Sequence, residues 1–199
     1  MFIFIGIIIV IAVYLIFAYN KFVTLKERVA NAWSQIEVQL KRRYDLIPNL
    51  VNTVKAYAKH EQETFEKITQ ARSQAINAQS VKEQAQAESQ LTNTLKSLFA
   101  VAESYPELKA DANFRNLQDE LTNTEGKISF SRQFYNDTVQ KFNTMIKLFP
   151  NSLIAGIFNF TEAEYFNLEE EPETRENIEV KFDWWGLIWK ITGRYYLFL

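Results

Sequence analysis

The chain begins with an apolar run that constrains where everything after it can lie. Residues 2–19, FIFIGIIIVIAVYLIFAY, carry no charged side chain. At about 1.5 Å per residue they form a helix of roughly 27 Å, against a hydrocarbon core about 30 Å thick. No basic segment precedes the run and bulky residues follow it, unlike the pattern of a cleaved signal peptide. The sequence therefore predicts an uncleaved transmembrane anchor at residues 1–19 that contacts membrane lipid.

The charges beside this run predict its orientation. Lys21, Lys26 and Arg28 follow it, whereas only the amino group precedes it. Cations flanking a span stay on the cytoplasmic side. We therefore expect a single-pass protein of the cell membrane, with its N-terminus outside and its remainder in the cytoplasm. The same three cations are the candidate headgroup contacts.

Charge is unevenly spread over the remaining residues. Residues 20–60 hold eight basic and three acidic side chains, whereas residues 161–179 hold eight glutamates and one arginine. A nucleic-acid-binding surface is uniformly basic, so no nucleic-acid partner is predicted. With five glycines and four prolines in 199 residues, the composition favours long helices. The absence of cysteine excludes disulfides and thiolate metal sites.

Apolar residues recur at helical spacing along this part of the chain. The first stripe comprises Phe22, Val29, Trp33, Ile36, Leu40 and Ile47, the second Val51, Val54, Ala58, Phe65 and Ile68, and the third Leu91, Leu95, Leu98, Ala102 and Tyr105. The SVKE motif of residues 80–83 is a capping box that predicts the start of the third helix. A proline at 106 predicts its end at Tyr105.

The last long helix, predicted at about residues 111–148, has a seven-residue repeat typical of coiled-coil packing. Its bulky positions are Phe114, Leu121, Ile128, Tyr135, Phe142 and Phe149, and the positions between them are mostly small or polar. Small residues facing bulky ones suit an antiparallel bundle. The predicted fold is all-α: a single N-terminal transmembrane helix followed by an antiparallel up-and-down four-helix bundle.

Three adjacent cations, Lys41, Arg42 and Arg43, lie within the first stripe. Successive helical residues point in directions about 100° apart, so the three cannot form one phosphate-binding patch. Lys41 is four residues from both Glu37 and Asp45, and Arg42 points away from the stripe and is expected to be solvated. Arg43 borders the stripe, so we predict a buried or half-buried pairing with a carboxylate or a helix carbonyl.

Pro48 allows two interpretations. The apolar phase continues through it, as in one kinked helix, but an interior proline costs about 3 kcal/mol. In the first turn of a new helix capped by Asp45, the missing N–H matters little. The sequence favours a new helix that begins near Asp45.

Several segments together resemble one protein family. They are YNKFVTLKERVANAWSQIEVQLKRRYDLIPNLVNTVKAYAKHE (residues 19–61), AVAESYPELKADANFRNLQDELTNTEGKI (100–128), SRQFYNDTVQKFNTMIKLFP (131–150) and YF (165–166). In this order and spacing they resemble the LemA family of bacterial membrane-anchored proteins. The resemblance implies one N-terminal span, a helical bundle with a four-helix core, and no established catalytic activity. It departs at Gly126, where the family usually has asparagine.

The resemblance divides the chain into an anchor at residues 1–19, a LemA-like bundle at 20–168, and an acidic linker with an aromatic tail at 169–199. The final segment, DWWGLIWKITGRYYLFL, has no counterpart in the family. Its Trp184, Trp185 and Trp189 are amphipathic aromatics favoured at headgroup depth. A tail on the membrane interface is the favoured interpretation, and a tail that packs on its own bundle or is disordered is the alternative.

Residues with catalytic chemistry are sparse. His60 is the single histidine, and HEQET at residues 60–64 begins like a zinc-protease motif but has Thr64 at the second ligand position. Glu61 falls in the apolar phase of the second helix, where the sequence favours a structural polar layer with Arg43 or an asparagine over a catalytic role. No glycine-rich phosphate loop is present. The sequence therefore predicts no enzymatic activity, no metal and no cofactor.

Two functions of different classes remain. The first is a non-enzymatic interaction or scaffold module at the cytoplasmic membrane, whose bundle binds a membrane-associated protein. The alternative is a homo-oligomer that shapes or tethers the membrane.

Overall fold

The computed structural model describes residues 1–167, which form helices without any strand. The helices are α1 (Phe2–Tyr57), α2 (Gln62–Asn77), α3 (Val81–Glu103), α4 (Pro106–Ala110), α5 (Ala112–Lys147) and α6 (Asn151–Ile157). The all-α prediction is confirmed. The predicted linker and tail, with Trp184, Trp185 and Trp189, lie outside the described residues.

Helix α1 carries the apolar run and then continues into the bundle. Its most apolar window of 18 residues has a mean hydropathy of 2.9, and by length and composition the helix is able to cross a membrane. Every side chain from residue 1 to residue 17 is exposed. A core helix of a soluble protein with this composition would be buried instead. The apolar side chains of this part of α1 are therefore not covered by the rest of the described structure.

The prediction of a new helix near Asp45 is wrong, because α1 runs without interruption through Pro48 to Tyr57. A proline removes the N–H that would bond to the carbonyl four residues earlier, which here belongs to Tyr44. Arg72 of α2 replaces that donor, since its Nε lies 2.8 Å from the Tyr44 carbonyl oxygen. The helix break falls instead at residues 58–61, before α2.

Helices α1 and α5 run antiparallel over most of their length. Their cross-contacts pair Trp33 with Tyr135, ring centroids 5.4 Å apart, Arg42 with Glu120, and Tyr57 with Asp111. Residues further along α1 contact residues further back along the chain at α5, as antiparallel packing requires. The up-and-down order of all four long helices stays a prediction.

The bulky positions of the seven-residue repeat are buried along most of α5, from Phe114 to Phe142. Phe149 is an exception, because α5 ends at Lys147 and the Phe149 side chain is 79% exposed. Ser80 caps α3 as the sequence predicts, since its hydroxyl accepts from the Glu83 backbone N–H at 3.2 Å. The Glu83 carboxylate accepts from the Gln79 N–H at 3.0 Å, one residue before the Ser80 N–H that it binds in a standard capping box.

After α6 the chain returns along the bundle in an extended path, held by two asparagines of α5. Asn143 accepts from the Ala163 N–H at 2.8 Å and donates to the Ala163 carbonyl at 2.9 Å. Asn136 makes the same pair of bonds with the backbone of Phe166, at 2.9 and 3.1 Å. Each side-chain amide thus satisfies one buried peptide group, as a neighbouring strand would. Phe166 itself is 1% exposed.

Candidate functional site

A polar cluster lies inside the apolar core of the bundle. Helix α1 contributes the consecutive residues Arg43 and Tyr44, which are 2% and 9% exposed. Helix α3 contributes Gln84, Glu88 and Thr92, which are spaced four apart and therefore lie along one face of that helix. The cluster ties α1 to α3 in the middle of the structure.

The Arg43 guanidinium is the centre of this cluster. Its Nη1 lies 2.8 Å from Glu88 Oε2, and its Nη2 donates to the Thr92 hydroxyl at 2.8 Å. Nη1 also lies 3.3 Å from a carboxylate oxygen of Glu125, on α5. The Arg43 and Glu88 side chains are each 3% exposed. A cation buried to this extent requires such partners, because water cannot solvate it.

The second oxygen of the Glu88 carboxylate is also engaged. The Tyr44 hydroxyl donates to Oε1, and the Gln84 amide donates to the same oxygen at 3.2 Å. Gln84 further donates to the Tyr44 hydroxyl at 2.9 Å and to the Ala75 carbonyl of α2 at 3.1 Å. Hydrogen bonds of this cluster therefore reach α1, α2 and α3, and the Arg43–Glu125 ion pair adds α5.

Burial dominates the electrostatics of the two acidic groups. It raises the pKa of Glu88, and the neighbouring Arg43 charge and the Tyr44 hydroxyl oppose this rise. Burial also raises the pKa of the Tyr44 phenol, and the Glu88 carboxylate adds to this effect. A phenol with a raised pKa remains a proton donor at neutral pH. The cluster is thus a set of buried donors and acceptors that are bonded to one another.

A groove opens between α3 and α5 next to this cluster. Its volume is about 330 Å³, and its lining includes Arg43, Leu95, Lys96, Phe99, Leu121 and Glu125. Glu125 keeps 46% of its side chain exposed at the groove. Gly126 also lines it, and a Cβ at that position would meet no atom within 4 Å. The groove is apolar in its lining and has side chains of both charges.

The other two cations of the triplet lie on the surface. Lys41 pairs with Asp45 at 3.1 Å on the same helix, whereas Glu37 accepts from the Trp33 indole at 2.8 Å. Arg42, expected to be solvated, is half exposed and pairs with Glu120 of α5 at 2.6 Å. Surface pairs of this kind stabilise a fold by about 1 kcal/mol at most.

The structure does not bring His60 and Glu61 into the polar cluster. His60 is exposed in the turn between α1 and α2. Glu61 stands at the start of α2, where it accepts a long bond of 3.4 Å from the Tyr105 hydroxyl. The predicted polar layer of Glu61 with Arg43 is therefore wrong, because the helix break at residues 58–61 places Glu61 at the end of the bundle. Lys21, Lys26 and Arg28 are exposed on α1 just beyond the apolar run.

Sequence reasoning missed Gln84 and Glu88, although a signal for both exists. The third apolar stripe begins at Leu91, and extending it backwards by three and seven residues reaches Glu88 and Gln84. Both residues therefore share the core-facing side of α3. A carboxylate in the phase of an apolar stripe predicts a buried partner of opposite charge, which for Glu88 is Arg43.

The apolar N-terminal helix and the helical body with its buried ion cluster define a membrane-associated helical protein. The LemA family model matches residues 32–182. The chain belongs to the LemA family.

Similar proteins include two whose names refer to the magnetosome. Magnetosome protein MamQ 2 of Paramagnetospirillum magneticum is 28% identical over 184 residues, covering 79% of this chain and 67% of the relative. Magnetosome protein MamQ of Magnetospirillum gryphiswaldense is 25% identical over 186 residues, covering 80% and 68%. Protein LemA of Metamycoplasma hominis is 27% identical over 152 residues, covering 76% and 69%.

Proposed function

We propose that this protein is a membrane-anchored, non-enzymatic scaffold that holds an interaction surface at a fixed height above the cytoplasmic membrane. The observation that carries this proposal is the continuity of α1 from Phe2 to Tyr57. Residues 20–57 of this helix extend roughly 57 Å beyond the apolar run. Because no loop separates anchor from bundle, the bundle is a rigid extension of the membrane-spanning segment.

The charge asymmetry around the apolar run supports a cytoplasmic bundle. Lys21, Lys26 and Arg28 are exposed within the first turns after it, at the place where headgroup contacts and the positive-inside rule apply. Protease added to right-side-out cells is expected to spare the bundle. Complete digestion of residues 24–150 under these conditions would reverse the proposed orientation.

The buried cluster supports a structural role for the charged residues and not a catalytic one. Both oxygens of Glu88 are engaged by Arg43, Tyr44 and Gln84, so the carboxylate is already committed to protein donors. If a turnover activity is found, loss of that activity in His60→Ala or Glu61→Ala would contradict the proposal.

The groove between α3 and α5 is the proposed surface for a membrane-associated protein partner. Its apolar lining, with Leu95, Phe99 and Leu121, is suited to the apolar face of a partner helix. Lys96 and Glu125 would contribute charge complementarity and orientation at this surface. The open space over Gly126 lets a partner helix approach the α5 backbone closely.

Photocrosslinking in native membranes tests this surface. A photoreactive residue at Thr122 of the groove is expected to yield one defined heteromeric adduct. The same residue at Lys127, which is exposed on the side of α5 opposite the groove, is the matched control and should yield none. A Cβ at Gly126 meets no atom within 4 Å, so Gly126→Leu is expected to project into the groove and to abolish the Thr122 adduct. Equal adducts at both positions, or an adduct that survives Gly126→Leu, would contradict the groove as the partner site.

Self-association is the second candidate function, favoured by an exposed aromatic pair on α5. Phe130 and Phe134 are one turn apart and remain 73% and 47% exposed. Aromatic side chains are enriched in the contact cores of interfaces. Homodimeric adducts from a photoreactive residue at Phe130, with liposome deformation by the purified protein alone, would favour this alternative over a heteromeric scaffold.

A further inference from the structure

A second apolar element lies beside the anchor, at the far end of α5. Residues 148–160, LFPNSLIAGIFNF, contain no charged side chain; we call this segment the apolar foot. It includes α6, whose Ile154 and Ala155 are buried. Five of its other large apolar side chains are exposed by 48–79%, namely Leu148, Phe149, Leu153, Ile157 and Phe158, whereas Phe160 is partly buried. A cluster of this kind on a surface marks a place where water is not the native neighbour.

Contacts with α1 place the foot at the level of the anchor. The Tyr14 hydroxyl donates to Asn151 Oδ1 at 2.7 Å, so the start of α6 lies beside the apolar run. Phe158 lies 4.9 Å from Tyr19 and Phe160 lies 4.9 Å from Phe22, measured between ring centroids. The segment therefore starts beside Tyr14 and returns towards the bundle beside Phe22.

Charged residues reappear just where the foot ends. Lys147 and Glu162 flank it and form an ion pair at 2.7 Å, with both side chains half exposed or more. Lys21 lies two residues after Tyr19 on the neighbouring helix α1. The polar boundary of the foot therefore coincides with the polar boundary of the anchor.

We propose that the apolar foot is a second lipid-binding element, which inserts into the membrane interface beside the transmembrane helix. Tyr14 lies five residues before Tyr19, which corresponds to a depth of about 8 Å. Amphipathic elements that lie in the interface bury their apolar faces by about 5–10 Å. The depth set by the Tyr14–Asn151 bond falls in this range. This inference rests on the proposed membrane anchoring and adds a second contact to it.

Such a foot would fix the tilt and rotation of the bundle relative to the membrane. A single helix is free to rotate about its own axis, whereas a second contact at one side of it defines which side faces the lipid. Burial of Leu153 and Ile157 in lipid also removes exposed apolar area that is unfavourable in water. The bundle would thus be held with one defined face turned away from the membrane.

Depth-dependent fluorescence quenching of the full chain tests the foot. Because the sequence contains no cysteine, single-cysteine variants can be labelled with an environment-sensitive fluorophore. The test variant is Leu153→Cys. The matched control is Phe130→Cys, which replaces an exposed apolar residue on α5 about 27 Å before the foot. A third variant, Ile9→Cys, reports on the anchor. Each variant is reconstituted in phosphatidylcholine and phosphatidylglycerol vesicles with or without lipids that carry a nitroxide on the acyl chain.

The expected result is loss of about half or more of the emission at positions 9 and 153, with no change at position 130. Quenching at Ile9 without quenching at Leu153 would overturn the foot and leave the anchor intact. Absence of quenching at Ile9 would overturn the anchor, and the foot with it. Energy transfer between labelled copies at position 153, without lipid quenching, would show that a second copy covers this surface instead of lipid.

Discussion

Replacement of Arg43 by alanine is expected to be the most damaging single change in the cation triplet. The variant would leave Glu88, whose side chain is 3% exposed, without its main cation, and Thr92 without its donor. Removing one partner of a buried ion pair costs about 3–5 kcal/mol. Lys41→Ala and Arg42→Ala remove pairs whose members are about half exposed or more, so each should cost less than about 1 kcal/mol.

The penalty at Arg43 should also depend on pH. Without the guanidinium, Glu88 can become neutral by binding a proton, and burial already raises its pKa. Keeping a buried carboxyl protonated costs about 1.4 kcal/mol for each pH unit above its pKa. The loss of stability in Arg43→Ala should therefore grow as the pH rises above 4.5, the ordinary pKa of this carboxyl.

Urea unfolding of the full chain in detergent micelles, followed by circular dichroism, measures these differences. The anchor remains helical in the micelle, so the transition reports on the bundle. The double variant Arg43→Met/Glu88→Gln removes both charges and should recover about 0.5–3 kcal/mol relative to the sum of the single changes Arg43→Met and Glu88→Gln. Equal losses at positions 41, 42 and 43, or an Arg43→Ala loss below about 0.5 kcal/mol, would refute the assignment of Arg43 as the buried centre.

Three further changes probe separate features of the bundle. Gly126→Ala should stabilise the protein by up to about 1 kcal/mol in the same urea assay, because glycine is the poorer helix former and the added Cβ meets no atom within 4 Å; a loss of stability would contradict the open groove. Arg72→Met should cost about 1–3 kcal/mol by leaving the Tyr44 carbonyl without a donor, and the loss should shrink in a Pro48→Ala background, which restores a backbone N–H; an equal loss in both backgrounds would show that Arg72 does not compensate Pro48. Because burial raises the pKa of Glu88 above its ordinary 4.5, the folded state binds this proton more tightly than the unfolded state, so the contribution is present below pH 4.5 and is lost as pH rises through the folded pKa. The free energy of unfolding of the unmodified chain, relative to that of Glu88→Gln, should therefore fall as the pH rises from 4.5 to the folded-state pKa of Glu88. A rise over this interval would mean that the pKa of Glu88 is lowered on folding.

Much of this fold is encoded by residues close together in the chain. The run at residues 2–19 is long enough to span a membrane whatever the bundle does. The Ser80 cap and the repeat from Phe114 to Phe142 depend on spacings of three to seven residues, which one helix determines by itself. The location of Arg43 at the border of the core follows from the same periodicity.

Other features depend on which helices meet, and no local pattern contains that information. Whether Pro48 ends a helix depends on a donor from α2, and Arg72 supplies it only after α2 packs against α1. The carboxylate that pairs with Arg43 is Glu88 and not Glu61, because the break at residues 58–61 places α3 beside Arg43. The position of the exposed apolar residues 148–160 beside the anchor is decided by the Tyr14–Asn151 contact, which joins residues 137 positions apart. Periodicity along one helix determines which side is buried, whereas the partner on that side is decided by packing between helices.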